Sequence, residues 1–356
     1  MNIGIVQSII GGGGGNDKVL ISLLKKLKET DHIVSIYTVS EPRIDLSKYK
    51  IKKIKKLISM KIPAFGIYQK LLEPALAKKA QNEDVLIALT GDLFLPNNTK
   101  QRMIFYSQNN YSDPEKSNTS KYKTGLWKFY YMPYHKMQKN MIKNFKKYNI
   151  EFISNSNYVK EQLKTNLNVD SKVIYPPVEL DKFPYSPQRQ DGIISVGRFS
   201  KEKNFDKIID LIKDFPIPKR LFGSLSETNR AYYQSLINQG KPHNVTFYTN
   251  QKFDLMLRLL HKSKVFISQS DETFGIAVVE SMSAGCIPIV PNSTAHLETV
   301  PFEELRPTTD EEIRSRIYQI QNGDLDYLIP KIQEHIKQFD EKEFQNNFLR
   351  CIENKL

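Results

Sequence analysis

The 27 residues from Val265 to Pro291, VFISQSDETFGIAVVESMSAGCIPIVP, constrain this chain most, because two buried strands, a loop and a helix are compressed into them. Val265 to Ser268 is β-branched and aromatic, SQSDET is loop chemistry, Gly275 to Ala284 can wind as a helix that Gly285 stops, and Ile287 to Val290 is apolar again. Glu272 falls in the loop at the carboxyl end of the first strand, and Glu280 about a turn into the helix. Both can face one crevice, beside the unpaired N–H groups of a helix start. That pattern suits a ligand carrying hydroxyls and phosphate.

The rest of the chain repeats this alternation. Asn2 to Ile10 reads as a first strand, the five glycines Gly11 to Gly15 as a loop, and Asp17 to Glu29 as an amphipathic helix. Glycine lets a backbone approach a diphosphate or a sugar closely, but no G-K-[ST] follows, which argues against a P-loop. A dinucleotide site would want an acid after the next strand, His32 to Val39, and Glu41 stands near there. Further strands are expected at Val85 to Thr90, Met103 to Ser107 and Phe152 to Ser154, with helices at Tyr68 to Gln81 and Lys136 to Lys147. This alternation predicts parallel sheets with helices on both faces. Gln108, Asn109 and Asn110 would leave the sheet at its carboxyl edge, where ligands collect.

Pro184 to Asp191, PYSPQRQD, is polar and aperiodic and reads as a linker. A second cycle begins after it, with a strand from Gly192 to Val196, a loop GRFSKEK, and a helix from Asn204 to Phe215 with apolar Phe205, Ile208, Ile209 and Ile212. Arg198 and Lys203 lie in that loop, where two cations and helix N–H groups could converge on a diphosphate. Strands at Arg220 to Gly223 and Val245 to Tyr248 and helices at Tyr232 to Gln239 and Asp254 to Ser263 lead back to Val265.

A length of 356 residues favours two domains over one core. No run approaches the roughly 18 apolar residues of a membrane span, and the amino terminus lacks a cationic leader, so a cytoplasmic protein is expected. Cys286 and Cys351 are too few for a disulfide framework and read as buried thiols. A net charge of +13 asks for an anionic partner. The charge is concentrated in two stretches without an acid: Lys52, Lys53, Lys55, Lys56 and Lys61, then eight lysines from Lys121 to Lys147 among Tyr122, Trp127, Phe129, Tyr130, Tyr131, Tyr134 and Tyr148. Basic and aromatic residues together suit an anionic membrane surface at its inner face; a merely solvated lysine-rich face is the alternative. No recognition motif accompanies the charge, which argues against nucleic acid. Asp324-Leu325-Asp326 reads as two surface acids rather than a metal motif, and His261, His296 and His335 read as surface or capping residues without metal-ligand spacing.

E-T-F-G-I-A-V-V-E followed by S-M-S-A-G-C-I-P-I-V resembles the E-x7-E signature of retaining nucleotide-sugar glycosyltransferases of family 4. N-S with V-I-Y-P-P-V, Asn155 to Val178, and V-G-R-F-S-K-E-K-N-F, Val196 to Phe205, resemble other segments of that family, in its order. NSTAHLETV after Pro291 departs from the pattern by lacking paired glycines. The resemblance implies a glycosyltransferase-B fold, two Rossmann-like domains facing across a cleft: 1–183 on the acceptor side, with a helix of about 340–356 returning to it, and 184–339 on the donor side. It implies transfer of a hexose from a nucleotide-diphosphate sugar, with retained configuration, to a glycan or glycolipid acceptor that is lipid-linked or close to a membrane. It implies no cofactor and no essential metal. Glu272, Arg198 and Lys203 would be catalytic, and Glu280, Phe274, Gly275, Ile276, Gly13, Gly14, Gly223 and Tyr248 would bind the donor. Gln108 or Asn109 would stand on the acceptor side, where relatives carry a histidine. The alternatives are a nucleotide-sugar epimerase on the same fold, or a non-catalytic lipid- or nucleic-acid-binding protein on this scaffold. The latter would have lost its charged site residues, and Arg198, Lys203, Glu272 and Glu280 are all present.

Overall fold

The structure, a computed structural model, describes residues 1–58, 71–109 and 126–354, the side chains of 126–128 and 130 excepted. The chain divides into two compact units: Met1–Pro177 with Lys342–Leu356, and Val178–Glu341. Among the described residues no helix is long and apolar enough to cross a membrane.

The first unit holds seven strands: β1 (Asn2–Val6), β2 (Ile33–Thr38), β3 (Ile51–Lys56), β4 (Val85–Ala88), β5 (Arg102–Ser107), β6 (Ile150–Ser154) and β7 (Lys172–Val173). They lie in the order β3-β2-β1-β4-β5-β6-β7, every pair parallel. Alternate residues feed two cores, as the period of two in a strand requires. Ile3, Ile5, Val85, Ile87, Ile104 and Tyr106 pack with the helices Gly15–Leu27 and Glu341–Ile352. Val6, Leu86, Ala88, Met103 and Phe105 pack on the other face with the helices Glu73–Lys79 and Asn157–Leu167.

The C-terminal helix is sewn into this unit. Tyr106, wholly buried, meets Phe344 and Phe348 with ring centroids 6.0 and 5.7 Å away. The Arg102 guanidinium donates to the carbonyls of Cys351 and Ile352, each at 2.6 Å, and so caps the helix end with positive charge. Cys351 and Cys286 are both buried free thiols, each pushed up to about 12 chiefly by burial.

The second unit has five strands, β8 (Ile193–Arg198), β9 (Lys219–Ser224), β10 (Val245–Thr249), β11 (Val265–Ile267) and β12 (Ile287–Ile289), in the parallel order β10-β9-β8-β11-β12. The strand order reverses between β8 and β11, so loops leaving their carboxyl ends flank the crevice where ligands enter such sheets. The helix Phe205–Ile212 buries Phe205, Ile208, Ile209 and Ile212, the stripe its sequence spacing predicts.

Three sequence readings change. The first lysine stretch contains an edge strand, β3, whose lysines meet acids from elsewhere: Lys53 Nζ lies 3.0 Å from the buried Glu83 carboxylate and Lys56 pairs with Glu41. Lysine suits an edge strand because it discourages further pairing. Lys61, Lys121, Tyr122, Lys123, Asn110 and 68–70 lie outside the described residues, as do the side chains of Trp127, Lys128 and Tyr130. Second, 184–191 does not link the units, which divide after Pro177. It is pinned inside the second: His261 Nε2 donates to Pro184 O, Ser186 N–H donates to Ala284 O, and the nearly buried Arg189 bonds Asp326 at 2.8 Å. Asp326 is therefore an arginine partner rather than a free surface acid. Third, His296 is wholly buried, and His335 is part-buried between Phe302 and Phe339.

Candidate active site

Two loops meet at the β8/β11 switch point. After Arg198 the chain makes one 3-10 turn, Lys201–Lys203, and Asn204, with φ +50°, opens the helix Phe205–Ile212. After β11 the loop runs through Gln269–Phe274 to Gly275, whose φ of +91° no side chain adopts cheaply. A Cβ on Gly275 would also lie 3.4 Å from the His296 ring. The helix Ile276–Ala284 follows without a side-chain cap and ends at Gly285, φ +104°. Its N-cap, Gly275, has no side chain with which to cap the first N–H groups, an arrangement in which helix starts can receive anions.

The two loops are joined by charge. Lys203 Nζ donates to Glu272 Oε1 at 2.5 Å, and the Ser270 hydroxyl donates to the same oxygen at 2.7 Å. Asn204 Nδ2 donates to Gln269 O at 2.7 Å. Lys203 and Glu272 are only 20% and 22% exposed, so their attraction is less screened than that of a surface pair. Arg198 is open, 69% exposed, with Glu202 3.3 Å away. Burial would raise the Glu202 carboxyl, but the Ser200 hydroxyl, Arg198 and Lys203 together hold it below its ordinary value. Glu280 is on the helix and buried. A cation, a carboxylate and a helix N-terminus thus meet at one sheet edge, which can bind an anion and sort hydroxyls.

Residues 179–313 match the family model of the glycosyl transferases group 1. That segment carries Arg198, Lys203, Glu272 and Glu280. Similar curated proteins include the GDP-Man:Man(3)GlcNAc(2)-PP-Dol alpha-1,2-mannosyltransferases of Dictyostelium discoideum, 26% identical over 55% of this chain and 45% of that protein, and Kluyveromyces lactis, 27% over 48% and 35%. The chain spans less than half the length of these relatives. Among solved structures, Anabaena HepE in complex with UDP and glucose superposes with a TM-score of 0.74 at 15% identity, covering 99% of this chain and 100% of that one. WaaG, a glycosyltransferase involved in lipopolysaccharide biosynthesis, gives 0.73 at 11%, covering 98% and 99%. The fold is glycosyltransferase-B.

On this glycosyltransferase-B fold the remaining sequence candidates fall into different surroundings. Phe274 is a core residue, 5.2 Å from Phe339 edge to face, and Ile276 is the first residue of its helix. Gly223 is demanded by packing, since a Cβ there would come 1.9 Å from Gly197 O on β8. Tyr248 stacks on Phe222, and the turn after β10 is set by Asn250, φ +53°, whose N–H donates to Gly223 O.

In the first unit the glycine loop differs from its expected role. Gly11 and Gly13 N–H donate to the two Asp17 oxygens at 3.0 and 2.7 Å, and Gln7 Nε2 donates to Oδ1 at 2.9 Å. The anion in this nest is the chain's own carboxylate, in the first turn of the helix Gly15–Leu27, so the Gly13 N–H is already committed. A Cβ at Gly12, Gly13 or Gly14 would meet nothing within 4 Å. Asn109 Nδ2 is likewise engaged, donating to Gly91 O at 2.8 Å, while Gln108 is half-buried.

Sequence reasoning gave His296 no part in the site. It sits beside the site with Nε2 donating to Ser270 O at 3.0 Å, its ring against Gly275. Burial lowers the imidazole below its ordinary value. It opens a four-residue helix, too short for any periodicity to mark it as buried.

Proposed function

We propose that this protein transfers a hexose from a nucleoside-diphosphate sugar to a lipid-linked glycan, retaining the anomeric configuration without an essential metal. The observation that carries the reading is the Lys203–Glu272 contact at the β8/β11 switch point, beside a helix start without a side-chain cap. Breaking the sugar C1–O bond leaves charge on the diphosphate, and preorganised cations and N–H groups stabilise such charge best. Lys203, Arg198 and the N–H groups at Gly275 and Ile276 serve that role. Glu272 holds sugar hydroxyls and Glu280 the ribose hydroxyls, with Gly223 and Tyr248 on the nucleoside side. The new bond forms on the face that the diphosphate leaves, and the acceptor's proton passes to the leaving phosphate oxygen.

The first unit takes the acceptor, with Gln108 and Asn109 on that side and Gly14 admitting a ligand closely. The names of the curated relatives favour GDP-mannose as donor and a dolichol-linked class of acceptor. Association with the inner face of an anionic membrane is supported by the helix Leu126–Asn144. It exposes Phe129, Met132, Lys136 and Lys143 at helical spacing, and Lys146 and Lys147 follow it.

The deciding experiment incubates the protein with GDP-mannose or UDP-glucose and a short lipid-linked glycan, and assigns the product's anomeric configuration by NMR. Retained configuration with a rate unchanged by EDTA is expected. An inverted product would refute the retaining assignment, and a rate abolished by EDTA and restored by a divalent ion the metal-free one. No transfer from either donor, with no thermal stabilisation by GDP or UDP, would refute the reading as a whole.

A further inference from the structure

The loop that carries Glu272 is held, residue by residue, by the segment after β12. His296 Nε2 donates to Ser270 O at 3.0 Å, and the Ser293 hydroxyl donates to Asp271 Oδ1 at 2.7 Å. Glu272 N–H donates to Thr294 Oγ1 at 3.3 Å, and Ala295 N–H donates to Glu272 O at 3.2 Å. Four hydrogen bonds thus clamp three consecutive residues, ending on the one whose carboxylate meets Lys203.

Thr294 carries a mark of this arrangement. Among the described residues the other non-glycine residues with positive φ are Asn168, Asn204, Asn244, Asn250 and Asn354, the type that tolerates it; Thr294 does so at +54°. A β-branched residue in that region costs free energy and persists only where its surroundings over-determine it. Glycine would adopt the turn at less cost but has no hydroxyl to accept from Glu272. His296 reinforces the same loop from beneath, and its Nδ1 is buried without a hydrogen-bond partner.

We propose that Thr294 and His296 are positioning residues that fix the Glu272 carboxylate for the sugar, the threonine hydroxyl replacing the freedom that glycine would give this turn. The inference rests on the reading of Glu272 as a sugar-binding group, and its test separates the two. Thr294→Val removes the hydroxyl at nearly constant shape, and Thr294→Ser keeps it. His296→Leu removes the donor to Ser270, and His296→Gln keeps one at a similar reach.

With GDP-mannose and UDP-glucose as donors, the valine and leucine variants should lose about tenfold to a hundredfold in kcat with little change in donor KM. The serine and glutamine variants should return most of it. Amide exchange across 270–275 should accelerate in Thr294→Val and not in Thr294→Ser. Unchanged kcat in both disruptive variants while Glu272→Gln is inactive would overturn the positioning role and leave the functional reading intact. Unchanged exchange in Thr294→Val, or equal losses in Thr294→Val and Thr294→Ser, would overturn it as well. Full activity of Glu272→Gln would instead remove the reading beneath it.

Discussion

The two sheets share the order 3-2-1-4-5 about their switch points, yet the loops at those points are finished in opposite ways. In the first unit the glycine loop closes on Asp17, which satisfies two backbone N–H groups and a glutamine from within. In the second, Lys203 and Glu272 satisfy one another across two loops, Arg198 stays open to solvent and the helix start has no side-chain cap. A glycine-rich turn therefore does not by itself make an anion site. What matters is whether the turn's donors are already spent.

The largest expected effect breaks this contrast on the second side. Glu272→Gln and Lys203→Ala should each lower the proposed transfer by about 10²–10³ in kcat, read with GDP-mannose or UDP-glucose and a short lipid-linked glycan, while thermal midpoints move only slightly. Equal losses from Asp17→Asn would erase the distinction between the loops. Next come the glycines. Gly223→Ala must force β9 away from Gly197 and should destabilise by about 1–3 kcal/mol in urea unfolding. Gly14→Ala, with open space and no positive φ, should leave stability unchanged; a fall in its kcat/KM would then report a ligand approaching the loop. Asp17→Ala strands the glycine donors and should cost about 1–3 kcal/mol of stability.

The smallest effect is a pH dependence. Burial holds His296 below its ordinary value of 6.5, so the unfolded chain binds its proton first as pH falls. Stability should decline from about pH 6.5 downward at under about 1.4 kcal/mol per pH unit from this group, and His296→Gln should flatten that slope. Asp271, Glu272 and Lys203 are the charged groups facing the ring, and the two acids moderate the shift.

The elements at Val265–Ile267 and Ile276–Ala284 were legible because β-branched runs, a polar loop and a glycine stop are local signals. The stripe of the helix Phe205–Ile212 was legible for the same reason. β3 was not, because four lysines in six residues leave Ile51 as the one residue packed against the core, and its backbone pairing with β2 leaves no mark in composition. The segment 184–191 has a linker's composition and is fixed by Arg189 and Ser186, through partners roughly 100 residues or more away. Asp17 reaching back into the loop and His296 reaching under Gly275 depend on closure in space, which no spacing in the chain records. Thr294 runs against the sequence rule outright, since threonine is a residue one assigns away from a left-handed turn.

The grip of Arg102 on the carbonyls of Cys351 and Ile352 also sets an order of assembly on the ribosome. Its partner Ile352 is made 250 residues later, about 12–50 s of synthesis. Through that interval Tyr106 waits for Phe344 and Phe348, and the sheet begun first is completed last. The second unit, encoded as one continuous stretch, can finish while one face of the first still lacks the second of its two helices.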